Sequence, residues 1–293
     1  MARFVPATAC CTLLALFGAA AALSWDEAAC VAPATQTINV AGARFTVLSP
    51  RLVRMQLPPF SDACTFTVVN RATAATAFAR ATVGGVLTLK TAALTLRYNA
   101  SAQSAAPGRS ARGFRRGALS VTLSAAGDPT AGTVWRPGDD SGANLLSTMS
   151  SFNEVSPAHV LNSTSDPRSG TAVQPGVLSR AGWTLLDDSG SGRFDFSRRF
   201  FGGAPTFLPD APAAPSRGAD LYMFGCGRAH AACLKDFTSV AGAIPLPPAA
   251  TVGVWWSHYE TFDVKSIQME VLSQFVLREL PLNVLQMDVG WCA

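Results

Sequence analysis

The chain has 293 residues, of which 48% are hydrophobic and only 14% charged, so it can bury a sizeable core and is not disordered throughout. Its net charge is a modest +4, and much of it lies in one stretch, Arg109 to Arg116. A nucleic-acid-binding surface needs a basic face interleaved with aromatic residues, and we find none. We interpret the stretch as a solvated basic loop and expect no nucleic-acid partner.

The N-terminus has the pattern of a secretory signal peptide. Arg3 precedes an apolar run from Ala9 to Ala22, and small residues at its end offer a cleavage site. The run is shorter than the ~20 apolar residues of a membrane-spanning helix, although an uncleaved signal anchor is the alternative. We expect residues 1–22 to be removed and the protein to lie in the secretory pathway, extracellularly or in an endomembrane lumen, with no stable membrane span. Two sequons predict N-glycosylation at Asn99 and Asn162.

Five cysteines follow the leader, namely Cys30, Cys64, Cys226, Cys233 and Cys292. An oxidising compartment favours disulfides among them. Cys226 and Cys233 flank a turn-like segment and are the preferred pair, and Cys30 with Cys64 is the second choice. No spacing is typical of a zinc site, so we expect no metal.

The region from Thr37 to about Phe200 predicts many short strands separated by Gly, Pro, Asn and Ser. The strand candidates are Ala43–Leu48, Arg51–Gln56, Thr65–Asn70, Val86–Lys90, Leu94–Tyr98 and Leu119–Leu123. Their regular spacing favours an antiparallel β-sandwich. Ser101–Gly117 is predicted to be a long exposed hairpin loop, and Gly203–Arg217 a second irregular stretch.

After Pro248 the pattern changes to that of a βαβ unit. Thr251–Ser257 is an apolar run of strand length, Asp263 is a candidate helix N-cap, and Pro281 ends the helix before a second strand at Asn283–Met287. The two strands should be parallel. The predicted apolar face of the helix consists of Val264, Ile267, Val271 and Phe275.

Residues with sugar-binding chemistry follow the two strands of this unit. Tyr259 and Glu260 come after the first strand and Asp288 after the second, so the three could share one site at the same edge. A ring covers the apolar face of a sugar, and a carboxylate accepts hydrogen bonds from its hydroxyls. Loop capping by Asp288 and ordinary packing of Tyr259 are the alternatives. Asp187-Asp188 could be paired catalytic carboxylates, but a turn is the preferred interpretation.

Several segments resemble glycoside hydrolase family 31, in that family's order. They are Arg44–Val47, Asn144–Thr148, Pro175–Trp183 with Leu186–Ser189, Asp220–Gly225, Leu234–Thr238, Ile244–Pro248, Gly253–Ser257 and Pro281–Asp288. The resemblance implies a retaining, exo-acting α-glucosidase-type hydrolase, which the leader pattern would make a secreted one. Its fold would be a galactose-mutarotase-like N-terminal β-sandwich, here residues 23–248, followed by a (β/α)8 TIM barrel that starts at 249–293.

The same resemblance assigns site residues. Asp288 matches the carboxylate that holds the terminal sugar, and Tyr259 matches the aromatic residue after the first barrel strand. The substrate would be an oligosaccharide or glycan, with no cofactor. The family's nucleophile and acid/base lie on its fourth and sixth barrel strands, so we expect an incomplete barrel here, no catalytic residue, and a need for the remainder of the barrel. Gly290 and Asn153 depart from the family's pattern.

Two alternatives stay open. Met287–Trp291 also resembles the D-D-G-W signature of α-galactosidase-type barrels, although the segments around Trp183, Asp220 and Pro245 argue against it. The other alternative is a secreted β-sandwich that binds carbohydrate or protein without catalysis.

Overall fold

The computed structural model describes residues 26–104, 113–140, 143–145, 176–199, 205–208, 218–243, 247–258 and 263–287. Tertiary contacts divide the chain into two units, Met1–Gly242 and Ala243–Ala293. The sequence places this boundary slightly later, between residues 248 and 249. Within the described residues, no helix is both long and apolar enough to cross a bilayer. The predicted signal peptide and the sequon at Asn162 lie outside the described residues.

The first unit is built mainly from short antiparallel strands. In chain order these are β1 (Thr37–Val40), β2 (Ala43–Ser49), β3 (Leu52–Gln56), β4 (Ala79–Val83), β5 (Val86–Lys90), β6 (Leu94–Asn99), β7 (Leu119–Leu123), β8 (Val134–Trp135), β9 (Trp183–Asp187), β10 (Arg193–Arg199), β11 (Pro205–Leu208) and β12 (Asp220–Gly225). Sheet one has the order β1-β2-β3-β12-β9, and sheet two is the meander β4-β5-β6-β7-β8. Strands β10 and β11 form a separate pair. The helices are α1 (Ala100–Ser104) and α2 (His230–Ala241), with 3-10 turns at Glu27–Cys30 and Ala34–Gln36.

The two sheets pack face to face around one hydrophobic core, as the predicted sandwich requires. Strands β5, β6 and β7 alternate between buried and more exposed positions, which places every second side chain in the core. Phe45 from sheet one meets Tyr98 from sheet two with ring centroids 5.2 Å apart. The main members of this cluster are Phe45, Val47, Val53, Met55, Leu87, Leu89, Leu94, Leu96, Tyr98, Leu119, Val121, Trp135, Trp183, Leu221 and Met223.

Sheet one is covered on its other face as well. A second cluster places Leu52, Tyr222 and Phe224 against Cys233 and Val240 of α2. Strand β3 is therefore buried at all of its positions, and β12 at all but its first. A strand enclosed on both faces loses the simple alternation of a half-buried strand.

The structure corrects the strand predicted at Thr65–Asn70. The Thr65 hydroxyl accepts a hydrogen bond from the Val68 amide, and the Thr65 amide donates to the Val68 carbonyl. Val69 and Asn70 donate instead to the carbonyl of Val240. Thr65 also forms an isolated bridge with Arg193, but the segment does not continue as a strand, because the amides of Val68, Val69 and Asn70 bond elsewhere.

The described parts of two predicted loops contain regular or buried structure. The Ser101–Gly117 stretch begins within α1, and Phe114 is buried in the core, 5.9 Å from the ring of Phe45. The Gly203–Arg217 stretch contains β11, which pairs with β10. Arg109 and the rest of 105–112 lie outside the described residues.

The second unit contains β13 (Trp255–His258) and β14 (Val284–Met287), which pair in parallel as predicted. Between them lies a helix, α3, made of α-helical Val264–Ser266, π-helical Ile267–Leu272 and α-helical Ser273–Leu277. Asp263 caps it by accepting from the Ser266 amide at 2.7 Å, which confirms the predicted N-cap. Ile267 and Val271 of the predicted apolar face are buried, whereas Val264 is 70% exposed. These described residues form no closed barrel.

Two disulfides stabilise the first unit. Cys30 is bonded to Cys64, and Cys226 is bonded to Cys233. The second bond ties the end of β12 to α2, so it holds the helix against sheet one. Cys292 lies outside the described residues.

Candidate functional site

The candidate sugar site is defined by the ends of β13 and β14. Their register pairs Trp255 with Val284 and His258 with Met287, so both strands end at one edge of the pair. Tyr259 and Asp288 are the residues that come next in sequence, but both lie outside the described residues, as does Glu260. The structure therefore describes the strands that lead to the site, and the roles of Tyr259 and Asp288 stay predictions.

A local lock at the start of the strands sets this register. The side-chain oxygen of Asn283 accepts from the backbone N–H of Val254 at 2.8 Å, while the backbone N–H of Asn283 donates to the Val254 carbonyl at 2.9 Å. A Cβ at Gly253 would overlap the Asn283 side chain, so only glycine leaves room for this contact. The lock fixes which residues emerge together at the opposite end of the strands.

The aromatic side chains of β13 alternate across the strand. Trp256 and His258 stack with ring centroids 6.3 Å apart and an interplanar angle of 17°, which places them on one face. Trp255 faces the other way, and its indole N–H donates to the Thr251 carbonyl at 3.0 Å. On the face shared by Trp256 and His258, aromatic rings therefore extend to His258, the last residue of β13, which directly precedes Tyr259.

A charged network lies within the first unit, on the face of sheet one opposite the main core. The guanidinium of Arg54, only 2% exposed, donates to both carboxylate oxygens of Asp220 at 2.8 and 2.6 Å. It also donates to Asp62 at 3.0 Å, and Asp62 forms a two-point ion pair with Arg44 at 2.9 and 2.7 Å. Burial opposes the charge of Arg54, but the hydrogen bond to Asp220 and the nearby carboxylates outweigh it and raise its pKa.

The network continues to Tyr222 and Arg71. Arg71 is fully buried, and its Nε donates to the Tyr222 hydroxyl at 2.6 Å. A second nitrogen of its guanidinium donates to the carbonyls of Cys30, Asp62 and Ala63. Arg71 therefore links Cys30 of the first disulfide, and the loop residues Asp62 and Ala63 before Cys64, to Tyr222 of sheet one.

Asp187 and Asp188 have different environments, which argues against a catalytic pair. Asp187 is exposed and accepts from the Ser189 amide at 3.0 Å, as in the predicted turn. Asp188 is buried and accepts from the Thr65 hydroxyl at 2.8 Å, and burial raises its pKa. Among the residues that the structure describes, no three His, Cys, Asp or Glu side chains are grouped to hold a metal ion.

Sequence reasoning missed the arginines of this network. Arg44 and Arg54 stand in segments that read as ordinary strands, and their acidic partners lie elsewhere in the chain. An available signal was the arginine inside the otherwise apolar run of β3, because a charge within a buried strand needs a partner. The D-L-Y-x-F-G segment supplies both Asp220 and Tyr222, and Asp236 of the L-x-D-F-T segment pairs with Arg51 at 2.7 Å. These motif residues therefore support the sandwich.

The fold and site together define a two-layer antiparallel β-sandwich unit and a second unit with one βαβ motif. No protein-family model matches the chain. No curated protein matches it in sequence.

Comparison with solved structures shows likeness to parts of three longer proteins. A family 31 glycoside hydrolase, a dextranase from Flavobacterium johnsoniae complexed with glucose, aligns with 88% of this chain at 12% identity and a TM-score of 0.48. A cycloalternan-forming enzyme from Listeria monocytogenes in complex with a pentasaccharide substrate aligns with 88% at 13% identity and a TM-score of 0.44. An uncharacterised protein from Listeria monocytogenes aligns with 88% at 13% identity and a TM-score of 0.45. The alignments cover only 32%, 26% and 26% of those chains, respectively.

Proposed function

We propose that this chain is the N-terminal part of a retaining α-glucosidase-type hydrolase of glycoside hydrolase family 31, acting on terminal α-linked sugars. The observation that carries the proposal is the parallel register of β13 and β14, which ends both strands at one edge. Tyr259 and Asp288, the residues that the sequence resemblance assigns to sugar binding, directly follow those two ends. Ligand sites of parallel barrels form where strands end in this way.

In the proposed enzyme, Asp288 accepts hydrogen bonds from hydroxyls of the terminal sugar, and Tyr259 covers an apolar face of the ring. Cleavage with retention requires two further carboxyl groups roughly 5–5.5 Å apart, one as nucleophile and one as acid/base. By the resemblance, both belong to later barrel strands. The sandwich would then support the barrel and take no part in bond cleavage.

Two experiments test this function. The transcript downstream of the Ala293 codon is sequenced, and we expect an in-frame W-x-D-M-type motif within the next ~150 residues, on the spacing of barrel strands. Purified 1–293 is then compared with the extended product on an aryl α-glucoside, and only the extended product should hydrolyse it. Turnover by 1–293, or a stop codon after Ala293 with a stable secreted product, would overturn the proposal, and the second result would favour the non-catalytic sandwich.

The role of Asp288 is tested in the active, extended protein. Asp288→Asn should reduce kcat/KM by at least about tenfold, because it removes a charged hydrogen-bond acceptor from the sugar. Asp140→Asn is a matched control, since Asp140 is exposed and lies in the first unit. Equal activity of the two variants would exclude Asp288 from the sugar site.

We also propose that the protein enters the secretory pathway. The support is the N-terminal leader pattern together with two disulfides, which persist in oxidising compartments. N-terminal sequencing of secreted protein should start near Leu23, and enzymatic removal of N-glycans should lower the mass at Asn99 and Asn162. Retention of Met1 in cytosolic protein would contradict this location.

A further inference from the structure

A basic cavity lies on the outer face of sheet two, away from the hydrophobic core. Arg97 of β6 pairs in register with Thr88 of β5 and Ser120 of β7, and these positions alternate with the buried ones. The cavity has a volume of about 270 Å³, and Arg97 and Ser120 contribute to its lining. Arg116, before β7, and Arg136, after β8, complete its basic wall.

The positive charge of this cavity is only partly neutralised. Arg116 forms an ion pair with Asp139, and this arginine holds the pKa of Asp139 below its usual value. Asp139 also accepts from the backbone amide of Arg136 at 2.8 Å. In the described part of the chain, the guanidinium groups of Arg97 and Arg136 form no hydrogen bond or ion pair. The charge of Arg136 also helps to lower the pKa of Asp139, so this one carboxylate faces both Arg116 and Arg136. With Arg97 as a third cation, the cavity keeps a net positive charge.

Such an arrangement attracts anions. Like charges around a concave surface reinforce one another's potential. A guanidinium presents its N–H groups in a planar fork that matches the oxygens of a sulfate or carboxylate. Arg97 and Arg136 thus supply the chemistry of an oxyanion site.

We propose that this cavity binds the sulfate or carboxylate groups of an acidic oligosaccharide, independently of the catalysis proposed above. The hydroxyl of Ser120 and the amide of Asn99 also line it, and both groups can hydrogen-bond to sugar hydroxyls. The volume is close to the range of roughly 300–1,000 Å³ that is usual for ligand pockets, so the cavity holds more than a single ion. No aromatic ring lines it, whereas single-stranded nucleic acid needs rings on which bases stack.

The position of Asn99 affects how the site is tested. Its side-chain oxygen accepts from the Ala102 amide at 3.1 Å, and its sequon would place an N-glycan at the edge of the cavity. An attached glycan would compete with an added oligosaccharide. The protein for binding measurements therefore comes from a disulfide-forming host that adds no N-glycans.

The experiment is isothermal titration of the 293-residue chain with a heparin-derived hexasaccharide at low salt. Arg97→Gln and Arg136→Gln should each weaken binding about tenfold, the loss expected for one hydrogen-bonded charged group. Arg180→Gln is the matched control, because Arg180 is exposed and does not line the cavity. Far-ultraviolet circular dichroism verifies that the exposed substitutions leave the fold intact.

The probes also separate the alternatives. We expect the sulfated hexasaccharide to bind more tightly than inorganic sulfate or a single-stranded oligodeoxynucleotide of equal charge, and neutral dextran of equal length not to bind. Unchanged affinity in the Arg97 and Arg136 variants, or an equal loss in the Arg180 variant, would overturn the proposal. Equal or tighter binding of inorganic sulfate would reduce the cavity to a simple anion site, and tighter binding of the oligonucleotide would assign it to nucleic acid. Both results would refute the assignment to an acidic oligosaccharide.

Discussion

Asp220→Asn tests whether the first unit depends on its buried ion pair. Asp220 holds Arg54 through two hydrogen bonds of 2.8 and 2.6 Å, and Arg54 is 2% exposed. The substitution keeps the size of the side chain but removes its charge and one acceptor oxygen. Asp62, at 3.0 Å, then becomes the remaining carboxylate partner of Arg54.

The expected cost follows from the burial of the pair. Removing one partner of a buried ion pair costs about 3–5 kcal/mol, because the other charge loses compensation without regaining water. Asp62 still compensates part of the Arg54 charge, so we expect the lower end, about 3 kcal/mol. Asp139→Asn is the control, since its partner Arg116 is 61% exposed and solvent screens that pair.

The assay is urea unfolding at pH 7, followed by tryptophan fluorescence, to which Trp135 and Trp183 of the sandwich core contribute. Asp220→Asn should lower the unfolding midpoint with little change in the slope of free energy against urea, whereas Asp139→Asn should match the wild type. Equal midpoints for the two variants would refute the reasoning, since burial is the main difference between the two ion pairs.

Four other kinds of perturbation have defined outcomes. Loss of Cys30–Cys64, with a separation of 34 residues, should cost about 4 kcal/mol, and loss of Cys226–Cys233, with a separation of 7, about 2.5 kcal/mol; both are measured by denaturant unfolding of double Cys→Ser variants. Burial raises the pKa of Asp62, but Arg44 and Arg54 outweigh it, so the net pKa is below 3.8, and Asp62→Asn should cost more stability at pH 7 than at pH 3. Burial raises the pKa of Asp188 above 3.8, so its ionisation destabilises the folded state at neutral pH but not at low pH. The free energy of unfolding of Asp188→Asn, relative to that of the wild type, should therefore be more favourable at pH 7 than at pH 3. Gly253→Ala should increase hydrogen exchange at Asn283 and Val284 without affecting the first unit.

Each of these predictions has a result that contradicts it. A larger loss from the shorter disulfide loop would contradict chain entropy as the main source of stabilisation. If the stability change of Asp62→Asn and that of Asp188→Asn varied with pH in the same way, the opposite pKa shifts of these two carboxyl groups would be wrong. Unchanged exchange in Gly253→Ala would show that the Asn283 lock tolerates a side chain.

The strands of the sandwich could be predicted from the sequence where one face of a strand packs on the core, because apolar and polar residues then alternate. Val86–Lys90 alternates apolar and polar residues, and the same five residues form β5. Strand β4 was not predicted, because all five of its residues are exposed and its Ala-rich sequence shows no alternation. Thr65–Asn70 is rich in β-forming residues, yet the Val68 amide donates to the Thr65 hydroxyl, and the amides of Val69 and Asn70 donate to the distant Val240 carbonyl. Local propensity does not register such bonds.

The candidate site shows a similar division. The parallel βαβ motif was predictable from two apolar runs and an N-cap, all encoded within about 40 residues, the scale of one such unit. The buried network was not, because Arg54 and Asp220 are 166 residues apart. The arginine within the apolar run of β3 indicates that a partner is needed, but nothing local identifies Asp220 as that partner. Nothing local to Asn99 or Arg136 shows that they border one cavity, which arises only when the meander of sheet two forms.

The pairing of β3 with β12 has a consequence for how the protein is made. Synthesis proceeds at roughly 5–20 residues per second, so the 166 residues between Arg54 and Asp220 take on the order of 8–30 s to appear. Throughout that interval the newly made β3 has no β12 neighbour, and Arg54 has no Asp220. Free strand edges of this kind invite pairing with other chains. Chaperone occupancy of the nascent chain should therefore persist until β12 has been made and can pair with β3.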